Sequence, residues 1–134
     1  MTFDLAVCRA HLRARQERQH QVREQERAAA LKALRAAARS VLPHFPDVRR
    51  AYLFGSVLRS GAWHSTSDID LAIEGRLNAE AYFALWRELE RAAAGWLIDL
   101  VPLDQDLPFA ARVRECGELI YGHSDSDVES RHSG

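Results

Sequence analysis

Two short motifs decide the fold: Leu53-Phe54-Gly55-Ser56 and, after a gap of eleven residues, Asp68-Ile69-Asp70. The predicted strand at residues 50–54 is aromatic and apolar after Arg50, which is typical of a buried strand. Gly55 permits a positive φ and a close approach of a ligand to the backbone. Ser56 adds a hydroxyl at the point where a short helix is expected to begin. Backbone N–H groups at such a turn attract anions, above all phosphate, so the first motif predicts a phosphate-binding turn.

Asp68 and Asp70 lie two positions apart at the start of a second predicted strand, residues 69–74. Side chains at i and i+2 leave a strand on the same face, so both carboxylates point the same way. Adjacent carboxylates repel each other unless a cation lies between them. A hard divalent cation with oxygen ligands, Mg²⁺ or Mn²⁺, meets this need. A phosphate-binding turn beside such a pair predicts nucleotide chemistry, in which two ions stabilise the attacking and leaving oxygens.

A third acidic residue, Asp99, interrupts the apolar strand predicted at residues 96–101. An unpaired charge in a buried strand is unfavourable. Asp99 therefore needs an ion pair, a cap or a metal ion, and the residues alone leave these three interpretations open.

Together the motifs resemble the minimal nucleotidyltransferases (MNT) of the DNA polymerase β-like nucleotidyltransferase superfamily. The resemblance rests on Phe54-Gly55-Ser56-Val57-Leu58-Arg59 and Ser67-Asp68-Ile69-Asp70-Leu71, and it extends over about residues 25–122. It implies an α/β (α+β) fold, a small mixed β-sheet with helices packed on one face and the site at one open end. One departure is Ser60, which stands between Arg59 and Gly61. This one-residue insertion puts the contacts of the loop in doubt but not the metal site.

The resemblance also implies roles for single residues. Asp68, Asp70 and Asp99 form the catalytic and metal-binding set, in which Asp99 acts as the general base towards an incoming hydroxyl. Gly55 and Ser56 bind a nucleotide phosphate. Arg59 neutralises triphosphate charge, although a surface ion pair is an open alternative for this side chain.

The implied activity is transfer of AMP from ATP to a hydroxyl, with two Mg²⁺ ions as cofactor. Small proteins of this type are the antitoxins of HEPN–MNT toxin–antitoxin pairs. The expected partner is therefore a HEPN ribonuclease toxin in a hetero-oligomer, and the expected acceptor is a tyrosine of that toxin. Two alternatives stay open: a non-catalytic antitoxin that acts by binding alone, and a small-molecule nucleotidyltransferase of the aminoglycoside type. No membrane and no direct nucleic-acid binding are expected.

The chain of 134 residues predicts one domain preceded by a polar helix. Residues 5–41 contain no Gly or Pro and are rich in Ala, Arg, Gln and Glu, which favours a helix. Its second part, from residue 28, carries an apolar face, whereas its first part is polar nearly all round. We therefore assign residues 1–27 to a polar N-terminal helical extension, 28–122 to the nucleotidyltransferase domain and 123–134 to a disordered tail.

Charge is unevenly distributed although the net charge is only −1. Residues 1–50 hold eleven Lys and Arg against five Asp and Glu, whereas residues 51–134 hold seven against fourteen. A basic arm ahead of an acidic body suggests contact with an acidic partner or with RNA. Because the polar helix exceeds what the domain needs, it is also a candidate for oligomerisation or for binding a partner. A merely solvated helix is the simpler interpretation.

Two features of the sequence indicate the cellular compartment of the protein. Cys8 and Cys116 lack a disulfide-framework or zinc-binding spacing, and the N-terminus lacks a signal-peptide pattern. We therefore expect a cytoplasmic protein.

The other strands and helices are predicted from apolar runs, from Gly and Pro residues that end them, and from helix N-caps. Strands are predicted at 50–54, 69–74 and 96–101, with a short edge strand at 119–121. One helix begins after the N-cap Asn78, and a last helix has Pro108 in its first turn. Phe109, Val113 and Cys116 are expected to point inward from that helix, and Trp63 is expected to anchor its loop by packing rather than to stack on a base.

Overall fold

The computed structural model describes residues 4–103 and 107–122, so the predicted tail at 123–134 lies outside the described residues. The elements, in chain order, are α1 (Leu5–Val41), a 3₁₀ turn (Leu42–His44), β1 (Val48–Phe54), a second 3₁₀ turn (Gly55–Leu58), β2 (Ile69–Gly75), α2 (Ala79–Ala92), β3 (Ile98–Pro102), α3 (Leu107–Cys116) and β4 (Glu118–Tyr121). The predicted order of helices and strands is confirmed.

Helix α1 is continuous over 37 residues. Asp4 caps it, because its Oδ1 accepts a 3.0 Å hydrogen bond from the Ala6 backbone N–H, a donor without a partner inside the helix. The buried positions all lie in the C-terminal part: Ala30, Leu34, Ala37, Ala38 and Val41. The first half of α1 therefore lies on the surface. Within the described ranges, no helix is both long enough and apolar enough to cross a bilayer.

The four strands form one mixed sheet in the order β3-β2-β1-β4. β1 is antiparallel to both β2 and β4, whereas β2 and β3 are parallel. The parallel pair requires a crossover connection, which α2 supplies. The register places Phe54, the last residue of β1, opposite Asp70 of β2, and it places Asp70 beside Asp99 of β3.

The helices cover the two faces of the sheet unequally. α1 and α2 pack on one face, where the strands contribute Ala51, Leu53, Ile69, Leu71, Ile73, Ile98 and Leu100 to the main core. α3 packs on the other face, where Ala110 and Val113 meet Tyr52 and Ala72 in a smaller cluster. The predicted mixed sheet is confirmed, with α1 and α2 on its main face and α3 as partial cover of the second. The inward position predicted for Cys116 is wrong, because its side chain is exposed.

Helix α2 also closes the free edge of β3. Tyr82 Oη donates a hydrogen bond to the Leu100 carbonyl, and Trp86 Nε1 donates one of 2.8 Å to the Ile98 carbonyl. These bonds satisfy edge carbonyls that would otherwise have no strand partner. Because they flank Asp99, its carboxylate extends from a strand that is fixed on both sides.

Candidate active site

The structure brings the three predicted carboxylates together at one end of the sheet. Asp70 lies in β2 directly beside Asp99 of β3, and Asp68 stands one residue before β2 begins. Asp70 is half-buried, whereas Asp68 and Asp99 are exposed. Their strand positions place Asp70 and Asp99 on the face that α3 covers only in part, so the site is open to a ligand.

Asp70 is the electrostatic centre of this group. Its pKa is raised above its ordinary value, first by burial and then by the neighbouring charges of Asp99 and Asp68. Within residues 4–103 and 107–122, none of the three carboxylates forms an ion pair. The charge at this end of the sheet is therefore uncompensated by the described protein groups.

Glu74, which the sequence analysis did not single out, provides the contrast. It lies on the same strand and face as Asp70 and is 7% exposed. Arg50 Nη1 lies 3.4 Å from its Oε2, Arg114 Nη2 lies 3.4 Å from its Oε1, and Arg49 approaches to 3.9 Å. The fold thus neutralises the carboxylate at one end of β2 and leaves the carboxylate at the other end free.

Gly55 is in direct contact with Asp70. A Cβ added at Gly55 would lie 2.2 Å from Asp70 Oδ2, and the residue has a φ of +80°. Both the left-handed backbone and the missing side chain are therefore required here. The half-buried Ser56 follows in the 3₁₀ turn Gly55–Leu58, where the sequence predicted a short helix. The predicted phosphate-binding turn and the predicted carboxylate strand meet at this contact.

The loop that contains the extra residue, Ser60, is held by α1 through the next residue, Gly61. The Gly61 backbone N–H donates a 2.9 Å hydrogen bond to Glu24 Oε1. Glu24 Oε2 accepts a 3.0 Å bond from Arg27 Nε, and Arg27 Nη1 donates a 2.9 Å bond to the Val57 carbonyl. These contacts, which we call the Glu24–Arg27 clamp, lower the pKa of Glu24 chiefly through the Gly61 N–H. Residues in the predicted N-terminal extension therefore fix the loop that carries Ser56 and Arg59.

A cleft of about 420 Å³ adjoins Gly55 on the side of α3. Arg59 and Arg112 border it, together with Phe54 and Phe109, whose rings meet edge to face at 5.4 Å. Neither arginine forms an ion pair within the part of the chain that the structure describes. Arg59 is thus free for an anionic ligand. Sequence analysis missed Arg112, because no motif marks it and only the packing of α3 brings it here.

Trp63 anchors the loop between the motifs. Trp63 is 1% exposed, and its ring lies 5.4 Å from that of Trp96. The predicted packing role is therefore confirmed. His64, next in the chain, is exposed.

The carboxylates have the right donor chemistry for Mg²⁺, which favours carboxylate oxygens. Across the described ranges, no three His, Cys, Asp or Glu side chains form a complete metal site. Mg²⁺ usually takes only one or two protein carboxylates and completes its shell with water and substrate phosphates. The uncompensated pair of Asp70 and Asp99, with Asp68 beside it, fits that mode of binding.

A Gly-Ser turn in contact with a carboxylate strand, in a sheet of this topology, defines a nucleotidyltransferase domain. The chain belongs to the family described as Polymerase beta, Nucleotidyltransferase, whose family model matches residues 37–126. No curated protein matches the chain.

Solved structures support the same assignment. A chain of a mutant toxin–antitoxin complex, MntA-HpeT, aligns with a TM-score of 0.51 and 26% identity over 68% of this chain and 72% of its own. A toxin–antitoxin structure with AMP-PNP gives 0.51 and 26% over 75% and 77%. A protein of Sulfolobus solfataricus described as a candidate nucleotidyltransferase shares the fold, with a TM-score of 0.50 and 20% identity over 75% and 87%.

Proposed function

We propose that this chain is an antitoxin-type protein adenylyltransferase. It transfers AMP from ATP to a tyrosine hydroxyl of a cognate HEPN ribonuclease toxin and thereby neutralises the toxin. The observation that carries the proposal is the contact of Gly55 with Asp70, because it joins a phosphate-binding turn to an uncompensated carboxylate group. The similarity to toxin–antitoxin structures, one of them with AMP-PNP, supports the partner and the nucleotide.

Bound Mg²⁺, held by Asp68, Asp70 and Asp99, would neutralise charge on the triphosphate and on the attacking and leaving oxygens. The backbone N–H groups and hydroxyl at Gly55 and Ser56 hold a phosphate of the nucleotide. Arg59 and Arg112 compensate the remaining triphosphate charge. The protein thus contributes mainly placement and electrostatic stabilisation, as is general for phosphoryl chemistry.

The transfer itself is an in-line displacement. The tyrosine oxygen forms a bond to the α-phosphorus as the bond from that phosphorus to the bridging oxygen of the β-phosphate breaks, and pyrophosphate leaves. The carboxylate of Asp99 takes the tyrosine proton. Asp99 suits this role because it is exposed on the strand edge and close enough to Asp70 to raise the pKa of that residue.

Intact mass of the toxin encoded beside this gene tests the proposal. After incubation with this chain, ATP and Mg²⁺, the toxin should gain the mass of one AMP residue per event. Asp99→Asn should abolish the gain while the complex still forms. No gain with any of the four nucleoside triphosphates, together with a tight complex, would overturn the proposal and favour an antitoxin that acts by binding alone.

A neutralisation assay separates catalysis from binding. Asp68→Ala/Asp70→Ala should fail to protect cells that express the toxin. Full protection by this double variant would show that transfer is unnecessary.

A further inference from the structure

A basic groove lies along the N-terminal half of α1, next to the loop that leads into Asp68. Its volume is about 680 Å³, and Arg15, Arg18 and Arg23 on α1 face Ser65 and Thr66 on the loop. Thr66 precedes Asp68 by two residues, so their Cα atoms lie at most about 7.6 Å apart. The groove therefore extends to within two residues of Asp68, the first of the three carboxylates.

The groove is held in place by the Glu24–Arg27 clamp, which lies on α1 at the end of the groove that Arg23 and Glu26 line. A helix whose buried positions begin only at Ala30 has no core contact to fix its first half. The bonds from Glu24 to Gly61 and from Arg27 to Val57 supply that fixation. The arginines and the loop consequently form a preorganised surface, and preorganisation favours a specific ligand.

The lining indicates an acidic protein segment rather than a polynucleotide. Sites for single-stranded nucleic acid combine positive charge with aromatic side chains on which bases stack. The groove has no aromatic side chain among its described lining residues except His64, and Glu26 adds a negative charge that disfavours a phosphate backbone. The half-exposed Val22 offers instead an aliphatic contact of the kind that a peptide side chain uses.

We infer that this groove docks an acidic segment of the protein that supplies the acceptor hydroxyl. The inference rests on the proposed function and adds the surface by which the acceptor is recognised. Carboxylates of the partner pair with Arg15, Arg18 and Arg23, and the neighbouring hydroxyl then reaches the site beside Asp68. The groove thereby gives the enzyme its selectivity for one macromolecule, whereas the Gly55 turn binds the nucleotide.

Charge reversal in the groove tests the inference. Arg15→Glu/Arg18→Glu should raise the KM for the toxin about tenfold and leave kcat unchanged, because a docking contact is lost equally in the ground and transition states. The Kd for ATP, measured on the isolated chain, should not change. The matched control is Arg9→Glu/Arg13→Glu, which makes the same charge change on α1 outside the groove, with Arg13 lining a separate surface beside Gln16 and His20. This control should leave the KM unchanged.

Salt dependence gives a second measurement. The wild-type KM should rise between about 50 and 300 mM salt, since surface charge pairs are screened over this range, and the groove variant should show a flatter profile. Equal KM values for the groove and control variants, with AMP transfer intact, would overturn the inference and leave the proposed function standing.

Two further outcomes identify other occupants. If the toxin gains no mass but the groove variant alone loses affinity for it, docking is supported and the proposed function is wrong. Groove-dependent binding of a single-stranded RNA 20-mer, or groove-dependent self-association in sedimentation, without an effect on the toxin would instead assign the groove to RNA or to a second copy and overturn the inference.

Discussion

Asp70 and Glu74 leave strand β2 on the same face, yet only Glu74 meets neutralising guanidinium groups. Arg50 and Arg114 approach the Glu74 carboxylate, which makes it part of the packed structure. Asp70 instead faces the charges of Asp99 and Asp68, which raise its pKa after the larger effect of burial. One strand thus carries one carboxylate that stabilises the fold and one that weakens it in the absence of a cation.

We expect Asp70→Asn to raise the Tm of the metal-free protein at pH 7. The pKa of Asp70 is higher in the folded than in the unfolded protein, so the charged carboxylate destabilises the folded state. This loss of stability is present at neutral pH, where Asp70 is charged, and the uncharged amide of the variant removes it. Mg²⁺ should raise the Tm of the wild type and not that of the variant, because an ion that binds only the native state stabilises it. Thermal unfolding with and without Mg²⁺ measures both effects.

Glu74→Gln is the matched control on the same strand. It should lower the free energy of unfolding by about 3 kcal/mol, since it removes the buried charge that pairs with the half-buried Arg50, whereas the other two partners, Arg114 and Arg49, are exposed. It should also retain the response to Mg²⁺. A stabilised Glu74→Gln variant, or a Mg²⁺ response that persists in Asp70→Asn, would contradict the division of roles along β2.

Gly55→Ala should strongly slow nucleotidyl transfer. The new Cβ would lie 2.2 Å from Asp70 Oδ2, so the carboxylate must move away from its position beside Asp99. We expect a fall in kcat of about 100-fold or more, the scale of an ångström-sized misplacement of a catalytic group. The left-handed φ of +80° should lower stability as well, by about 1–2 kcal/mol. Steady-state kinetics and denaturant unfolding measure the two effects separately.

Gly61→Ala provides the comparison that isolates the contact. Gly61 has nearly the same φ, +79°, but nothing lies within 4 Å of an added Cβ. It should therefore show a similar loss of stability while transfer remains near the wild-type rate. If both variants lost activity to the same extent, backbone strain in the loop and not the Asp70 contact would account for the loss.

The sequence was sufficient to predict the elements that carry local signals. One such signal is the cap Asn78, whose side chain accepts a 2.8 Å hydrogen bond from the Ala81 N–H. Another is the alternation of apolar residues around Asp70 and Asp99 in their strands. The order of the elements follows from such signals because the spacing of apolar residues distinguishes a helix from a strand, and caps mark where a helix begins. The pairing of Asp70 with Asp99 followed from the family resemblance and is present in the register of β2 and β3.

Contacts between residues far apart in the chain were not predictable. Glu24 and Gly61 are 37 residues apart, and neither has a pattern that indicates the other. The same holds for the arginines around Glu74 and for Arg112 beside Gly55. From sequence alone, charged side chains on a helix are predicted to be exposed to solvent. Their partners become apparent only when α1 and α3 are packed on the sheet.

The contribution of the Glu24–Arg27 clamp to stability should depend on pH. Glu24 has a pKa below its ordinary value of 4.5 because the charged form accepts bonds from the Gly61 N–H and Arg27. A depressed carboxyl pKa contributes stability that is fully present above 4.5 and is lost as the pH falls through the lowered value. The wild type should therefore have a higher Tm than Glu24→Gln at pH 7, and the difference should shrink below pH 4.5.

The same variant tests whether the clamp positions the nucleotide loop or only stabilises it. If the loop is positioned through Gly61 and Val57, Glu24→Ala should raise the KM for ATP several-fold while the KM for the toxin changes little. Glu24→Gln, whose amide oxygen still accepts the Gly61 N–H, should recover most of the ATP affinity. Glu17→Ala, a surface change on the same helix, serves as control. If Glu24→Ala lowered the Tm as expected but left the KM for ATP unchanged, the clamp would only stabilise the fold. The predicted N-terminal extension would then have no role in nucleotide binding.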